Sequence, residues 1–164
     1  MIKIRKVRID NDLEELQRII QKSFKTVADE FKLTKEKTPT NPAYISLEKI
    51  KESIESGIDF FIGFENGKKV GCIAIEKDKN KVGNYFIERL AVEPENRHKK
   101  IGENLLDQAI LEIRKRKGIS VGIAIINENR QLKDWYLKYG FIEDSTKKFE
   151  HLPFTVCFMS KRIN

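Results

Sequence analysis

The chain has 164 residues, a formal charge of +7, and 40% hydrophobic against 35% charged residues; that length holds one domain, 1–164, with a sizeable core and excludes two comfortable ones. No apolar run approaches the roughly 20 residues of a membrane span and the opening MIKIRKVRIDND lacks the apolar stretch of a signal peptide, so a cytoplasmic protein with no membrane partner is expected. The excess of cations suits an anionic partner, and a nucleotide-bearing cofactor would satisfy it as well as nucleic acid would.

Met1 to Ile9 carries Ile2, Ile4, Val7 and Ile9 and reads as a first strand. Asn11-Asp12-Leu13-Glu14 is close to a capping box, after which Leu13, Leu16, Ile20, Phe24, Val27, Ala28 and Phe31 recur on one face of a long helix. Between Leu33 and Ile45 there are two prolines and no periodicity, so this segment is either a plain connector or a substrate loop. Ser46 can cap a shorter helix carrying Leu47, Ile50 and Ile54, which Gly57 ends. Ile58 to Glu76 reads as a hairpin, with Asn66-Gly67 supplying the two positive-φ residues of a type I′ turn. Cys72 and Cys157 lie in strand-like apolar runs without a CxxC or a metal spacing, which predicts buried packing in a reducing compartment.

The stretch from Asn84 to Asp107 organises the rest. Tyr85 to Val92 is a β-branched and aromatic strand with one carboxylate, Glu88, in its middle. The loop Arg97-His98-Lys99-Lys100-Ile101-Gly102 gathers free backbone N–H groups, cations and the positive end of a helix dipole, which makes it an anion site. Ile101, Leu105, Leu106, Ala109, Ile110 and Ile113 give the following helix an apolar face, closed by Arg114 to Lys117 and Gly118. Ile119 to Ile126 is nearly all apolar, the pattern of a buried strand, and a right-handed crossover would set it parallel to the Glu88 strand. Asn127 to Tyr139 is a last helix with Leu132, Trp135, Tyr136 and Tyr139 on one side and Gly140 at its end. Phe141 to Glu150 and Phe154 to Arg162 read as two strands joined around His151-Leu152-Pro153. Periodicity alone establishes an α/β or α+β domain.

The run Leu90-Ala91-Val92-x-Pro94-Glu95-x-Arg97, followed by Gly102, Leu105 and Leu106, resembles the acyl-CoA-binding motif of the GNAT superfamily of N-acyltransferases. Asn129, Tyr136, Gly140 and Phe141 resemble its second motif. One departure stands out: Lys100 occupies the place of the loop's usual first glycine. The resemblance implies a single domain with a mixed central sheet of about seven strands and about four helices, whose splayed parallel strands form the acyl-CoA cleft. It implies acetyl-CoA as co-substrate and no metal. The amides of Arg97, His98, Lys99, Lys100, Ile101 and Gly102 would hold the pyrophosphate, and Leu90, Ala91 and Val92 the pantetheine arm. Tyr136 would protonate the leaving thiolate, unless it only packs beside Trp135.

The reaction needs a base, because an alkyl ammonium with a pKa near ~10 is mostly protonated at neutral pH. Glu88, directly or through water, is the candidate; its alternative is a simple ion pair with a surface lysine. A free N–H near Leu90 to Val92 could stabilise an oxyanion if the strand bulges there. Asn129 either contacts pantetheine, caps its helix, or does both. His98 and His151 have no evident catalytic partner. For the acceptor, Asn41 and Tyr44 on the proline-stiffened loop, with Phe149 and Phe154, would form a wall facing Glu88; alternatively the loop bridges helices and the aromatics fill the core. The expected activity is acetyl transfer to a primary amine of a small molecule by direct attack in a ternary complex. The alternatives are a protein N-terminal or lysine acetyltransferase and a non-catalytic acyl-CoA sensor. Nucleic acid is not expected as a partner, since no basic stripe interleaved with aromatics is present. Acetyl-CoA and an amine are the expected partners, and the resemblance is compatible with a homodimer.

Overall fold

The computed structural model describes residues 2–163. In chain order the elements are β1 (Lys3–Lys6), α1 (Leu13–Glu30), α2 (Leu47–Glu55), β2 (Asp59–Glu65), β3 (Lys68–Lys77), β4 (Asn84–Val92), α3 (Ile101–Lys115), β5 (Ser120–Ile126), α4 (Arg130–Tyr139), β6 (Ile142–Lys148) and β7 (Thr155–Arg162). Short 3-10 turns at Pro42–Tyr44 and Pro94–Asn96 punctuate the loops before α2 and α3. The seven strands form one mixed sheet in the order β1-β2-β3-β4-β5-β7-β6. All neighbours are antiparallel except β4 and β5, which the α3 crossover makes parallel.

Helices cover both faces. On one, Leu16, Ile19, Ile20 and Ile50 of α1 and α2 pack on Phe60, Ile62, Cys72 and Ala74. On the other, Leu105, Leu106, Ala109 and Ile113 of α3 pack on Ile73, Ile75, Ile87 and Val121. Each Leu, Ile, Val or Phe side chain among them, fully buried, contributes about 1.5–3 kcal/mol before ordering entropy is subtracted. Both cysteines are buried and unpaired. The β2–β3 turn has φ of 50° at Asn66 and 77° at Gly67, as its Asn-Gly pair predicts.

Two expectations are corrected. The first strand stops at Lys6, and Arg8 to Asp12 form a turn instead; Met1 lies outside the described residues. The turn is fixed by Asp12, whose fully buried carboxylate accepts from Arg5 Nη1 and Nη2 at 2.7 and 2.9 Å and from the Arg8 amide at 2.7 Å, with Lys69 3.1 Å away. Asp12 therefore precedes α1 without capping it by its side chain. The charged hydrogen bonds from Arg5 hold its carboxyl well below the usual carboxylate range.

Strand β5 is the second. Its apolar run predicts burial on both faces, yet only Val121, Ile123 and Ile125 are buried, while Ala124 is exposed. The reason is that β5 pairs with β4 over three residues and then leaves it, so its other face lines an opening.

Candidate functional site

Asn84 to Phe86 pair with Ser120 to Gly122, and beyond that point β4 and β5 diverge. What bends β4 away is a bulge against β3. Ala74 faces Glu88 and Cys72 faces Ala91, so three steps along β4 match two along β3, and Arg89 takes a φ of 49°. The resulting cleft has a volume of about 1450 Å³. The Glu93 amide donates to Val70 O on the β3 side, so by strand alternation the Val92 amide points the other way, into the opening.

At one end of the cleft lies the loop before α3. The amides from His98 through Glu103 have no hydrogen-bond partner among the described residues, and the first helical bond back to the loop is Asn104 N to Lys100 O. His98 and Lys100 have φ of 66° and 60°, which curls successive N–H groups toward one point. The left-handed turn at Lys100 is what a glycine would adopt freely; a lysine there is strained by roughly 1–2 kcal/mol. A Cβ on Gly102 would meet nothing nearer than Trp135 at 3.6 Å, so the space above its amide is open. Unpaired amides, a helix N-terminus and open space together can bind a phosphate. The Arg97 side chain turns away from this cradle: Nη2 donates to Ser23 O at 2.9 Å and Nη1 to Thr26 Oγ1 at 3.1 Å, fastening the loop to α1. Lys99 also points elsewhere, to Glu65 and Asn96.

Glu88 stands midway along the cleft on the face covered by α1 and α2, where it is partly buried. Desolvation, reinforced by the neighbouring Glu76 carboxyl, raises its pKa to about 7, against the opposing pull of Arg89 and Lys49. A carboxyl poised there can accept a proton near neutral pH. Tyr136 of α4 lines the opposite wall, its ring edge-on to Trp135 and Phe141. Its hydroxyl has no partner among the described residues, and since no fully buried side-chain N or O atom there is unpartnered, it keeps some exposure. Burial raises its pKa and keeps it a phenol. Asn129 also lines the cleft while its Oδ1 accepts from Leu132 N at 3.3 Å, capping α4.

The structure brings Glu88, Leu90, Val92, Arg97, His98, Lys100, Ile101, Gly102, Asn129 and Tyr136 to one cleft. Ala91, expected with them, does not line it: its methyl packs under α1 and, like that of Glu93, its backbone faces β3. Among the acceptor-wall residues, Asn41 and Phe154 line the cleft with Phe24 and Pro42. Tyr44 and Phe149 do not: the Tyr44 hydroxyl donates to Leu33 O, and Phe149 packs against His151 with Lys147 over its ring. Two neighbours of Glu88 escape a reading of the sequence, Glu76 and Arg89. Glu76 is revealed only by strand register, and Arg89 only by the bulge that turns it to the face of Glu88. Among the described residues no three His, Cys, Asp or Glu side chains converge as a metal site, and no helix is long and apolar enough to cross a membrane.

Residues 27–162 match the acetyltransferase (GNAT) domain family. No curated protein matches the sequence. Among solved structures, the PaiA N-acetyltransferase of Thermoplasma acidophilum in complex with coenzyme A is 25% identical, with a TM-score of 0.81 over 99% of each chain. The ribosomal-protein-S18-alanine N-acetyltransferase of Escherichia coli is 17% identical, with a TM-score of 0.77 over 99% of this chain and 94% of its own. A GNAT-family acetyltransferase of Staphylococcus aureus is 23% identical, with a TM-score of 0.74 over the whole of both chains.

Proposed function

The chain belongs to the GNAT family and is an N-acetyltransferase, and from that premise we propose that it moves the acetyl group of acetyl-CoA to a primary amine of a small molecule by direct attack in a ternary complex. The observation that carries this reading is Glu88: a partly buried carboxylate, raised to about 7, set beside the bulge in the wall of a cleft whose far end is an amide cradle. The PaiA enzyme with its bound coenzyme A, alike over nearly the whole chain, supports the co-substrate.

In this reading the amides of His98 to Gly102 hold the pyrophosphate, with Arg97 anchoring their loop to α1 rather than touching the phosphates. The backbone of Leu90 and Val92 orients the pantetheine arm along the unpaired edge of β4. Glu88 accepts the proton of the ammonium, directly or through water, so that the nitrogen lone pair can attack the thioester carbonyl. The outward Val92 amide stands where it can stabilise the charge developing on the carbonyl oxygen. Tyr136 returns a proton to the departing sulfur; its hydroxyl is protonated at neutral pH, and burial, which raises its pKa, makes it a weaker acid than a free phenol.

The pH–rate profile tests it. With Glu88 as base, kcat/KM of the wild type falls tenfold per pH unit below about 7, because the carboxyl must be ionised to accept a proton. Glu88→Gln should abolish that limb and lower turnover by roughly 10²–10⁴, while Tyr136→Phe should lower turnover without changing acetyl-CoA affinity. Wild-type rates and an intact acidic limb in Glu88→Gln would refute the assignment.

A further inference from the structure

In a regular strand Arg89 would project to the face opposite Glu88. The bulge prevents this. With its φ of 49°, Arg89 lies over the Phe60 ring at 5.8 Å and brings Nη1 to 3.4 Å from Ser53 Oγ, both partners on the α1/α2 face of the sheet. The guanidinium thus lies next to the carboxylate, with Nη1 3.8 Å from Glu88 Oε2. Its side chain is only 15% exposed, yet neither contact is a short, well-formed bond, and its other N–H groups have no partner among the described residues. Since no fully buried side-chain nitrogen there is unpartnered, Nε and Nη2 keep some exposure, and Arg89 is a lining residue of the cleft.

The charged groups around this point are few and can be named. Arg89 and Lys49 are the cations facing Glu88, and Glu76 is the acid beside it. With Glu88 ionised, as a base must be, Glu88 and Glu76 balance Arg89 and Lys49, so the cluster carries no excess of negative charge to draw a polycation. Other acids of the cleft, Glu30, Glu103 and Asp144, come from α1, α3 and β6, with Lys81, Arg97 and Lys100 as further cations. A polycation would therefore meet Arg89 at the reacting centre, whereas an anionic group would complete the donors that Arg89 leaves open.

We propose that Arg89 is a carboxylate subsite of the acceptor pocket, so that the amine substrate is an amino acid or a close analogue, its carboxylate on Arg89 and its nitrogen at Glu88. The short distance between the two side chains requires the two groups of the substrate to be only a few bonds apart, and Phe24 and Phe154 offer apolar surface to the remainder. This rests on the reading of Glu88 as the base.

The test pairs each member of a panel of L-amino acids and γ-aminobutyrate with its own carboxamide, and adds spermidine. Calorimetric titration of the CoA-saturated protein gives binding, and thiol release from acetyl-CoA gives turnover. The best carboxylate should bind about tenfold more tightly than its carboxamide, the worth of one charge-assisted bidentate contact. That ratio should fall to about one in Arg89→Gln and be partly kept in Arg89→Lys. A best ligand that is a carboxamide or spermidine, a ratio unchanged in Arg89→Gln, or no binding by any member would overturn the subsite. If Arg89→Gln does not fold, the wild-type ratio decides alone. Carboxylate-selective binding with no turnover would instead refute the role of Glu88 and leave the subsite standing.

Discussion

The two ends of the cleft are built from different materials. Around Lys100 and Gly102 the groups that face the opening are main-chain amides from one continuous segment, held by the dihedral angles of that segment and by the start of α3. Around Glu88 and Arg89 they are side chains gathered from α1, the loop before α2, β4 and the segment before β7. A backbone cradle tolerates change in most of its side chains but not in its conformation. A side-chain pocket has the opposite sensitivity, and this is why one scaffold can keep its co-substrate and vary its acceptor.

The sharpest way to break that contrast is to obstruct the cradle without disturbing the fold. Gly102 has room for a Cβ, with its nearest contacts at 3.6 and 3.9 Å, so Gly102→Glu should fold while placing a carboxylate over the amides. CoA affinity measured by calorimetry should drop at least 100-fold, about 2.7 kcal/mol, with the melting temperature little changed. An unaltered affinity would mean that the cradle does not carry the phosphates.

A smaller effect is expected at the other end. Asn41→Ala removes the acceptor of the Ala43 amide at 2.9 Å and a polar group of the cleft. It should cost about 1 kcal/mol of stability and raise the Michaelis constant for the amine several-fold, leaving that for acetyl-CoA alone. Tyr44→Phe, which loses only a bond to Leu33 O outside the cleft, should lower stability by a similar amount and change neither constant. Equal kinetic effects of the two substitutions would show that the loop acts through its shape and not through Asn41.

The smallest effect separates function from stability at Glu88. A carboxyl whose pKa is raised in the folded state opposes folding once it must ionise: there is no penalty below the unfolded value near ~4.3, and the penalty grows until pH passes about 7. Glu88→Gln should therefore gain stability relative to the wild type at pH 8 compared with pH 5. The gain should be roughly 1 kcal/mol or less, since partial exposure screens the group. Chemical denaturation at the two pH values checks the sign, and a larger gain at pH 5 would contradict it.

Most of the cradle is legible in the sequence because it is local. The turn after Pro94, the basic loop, the glycine and the apolar period of α3 are consecutive, and each acts through the backbone of its neighbours. The Asn-Gly hairpin and the parallel crossover are legible for the same reason. Glu88 is visible as a carboxylate within an apolar strand, although its partner Glu76 is not. The acceptor wall is half legible: Asn41 and Phe154 reach the cleft, while Tyr44 and Phe149, similar in composition and position, turn to Leu33 and His151. No local pattern distinguishes them, because the direction of a loop side chain is decided by what packs against it. The capping box at Asp12 misleads for a related reason, since a buried aspartate goes to the nearest arginine and lysine in space rather than to its own helix.

Sequence by itself therefore determined the order of strands and helices, the basic loop that leads into α3, and the strand that carries the carboxylate, since periodicity, turn chemistry and helix termini act over a few residues. Only the tertiary structure decided that β4 bulges at Arg89 and leaves β5 after Phe86, that Glu76 stands beside Glu88, and that Arg89 turns to the same face with open donors. Each of these depends on register between strands far apart in the chain. A one-residue shift in register reverses the face on which a side chain stands, and no local run of residues records that shift.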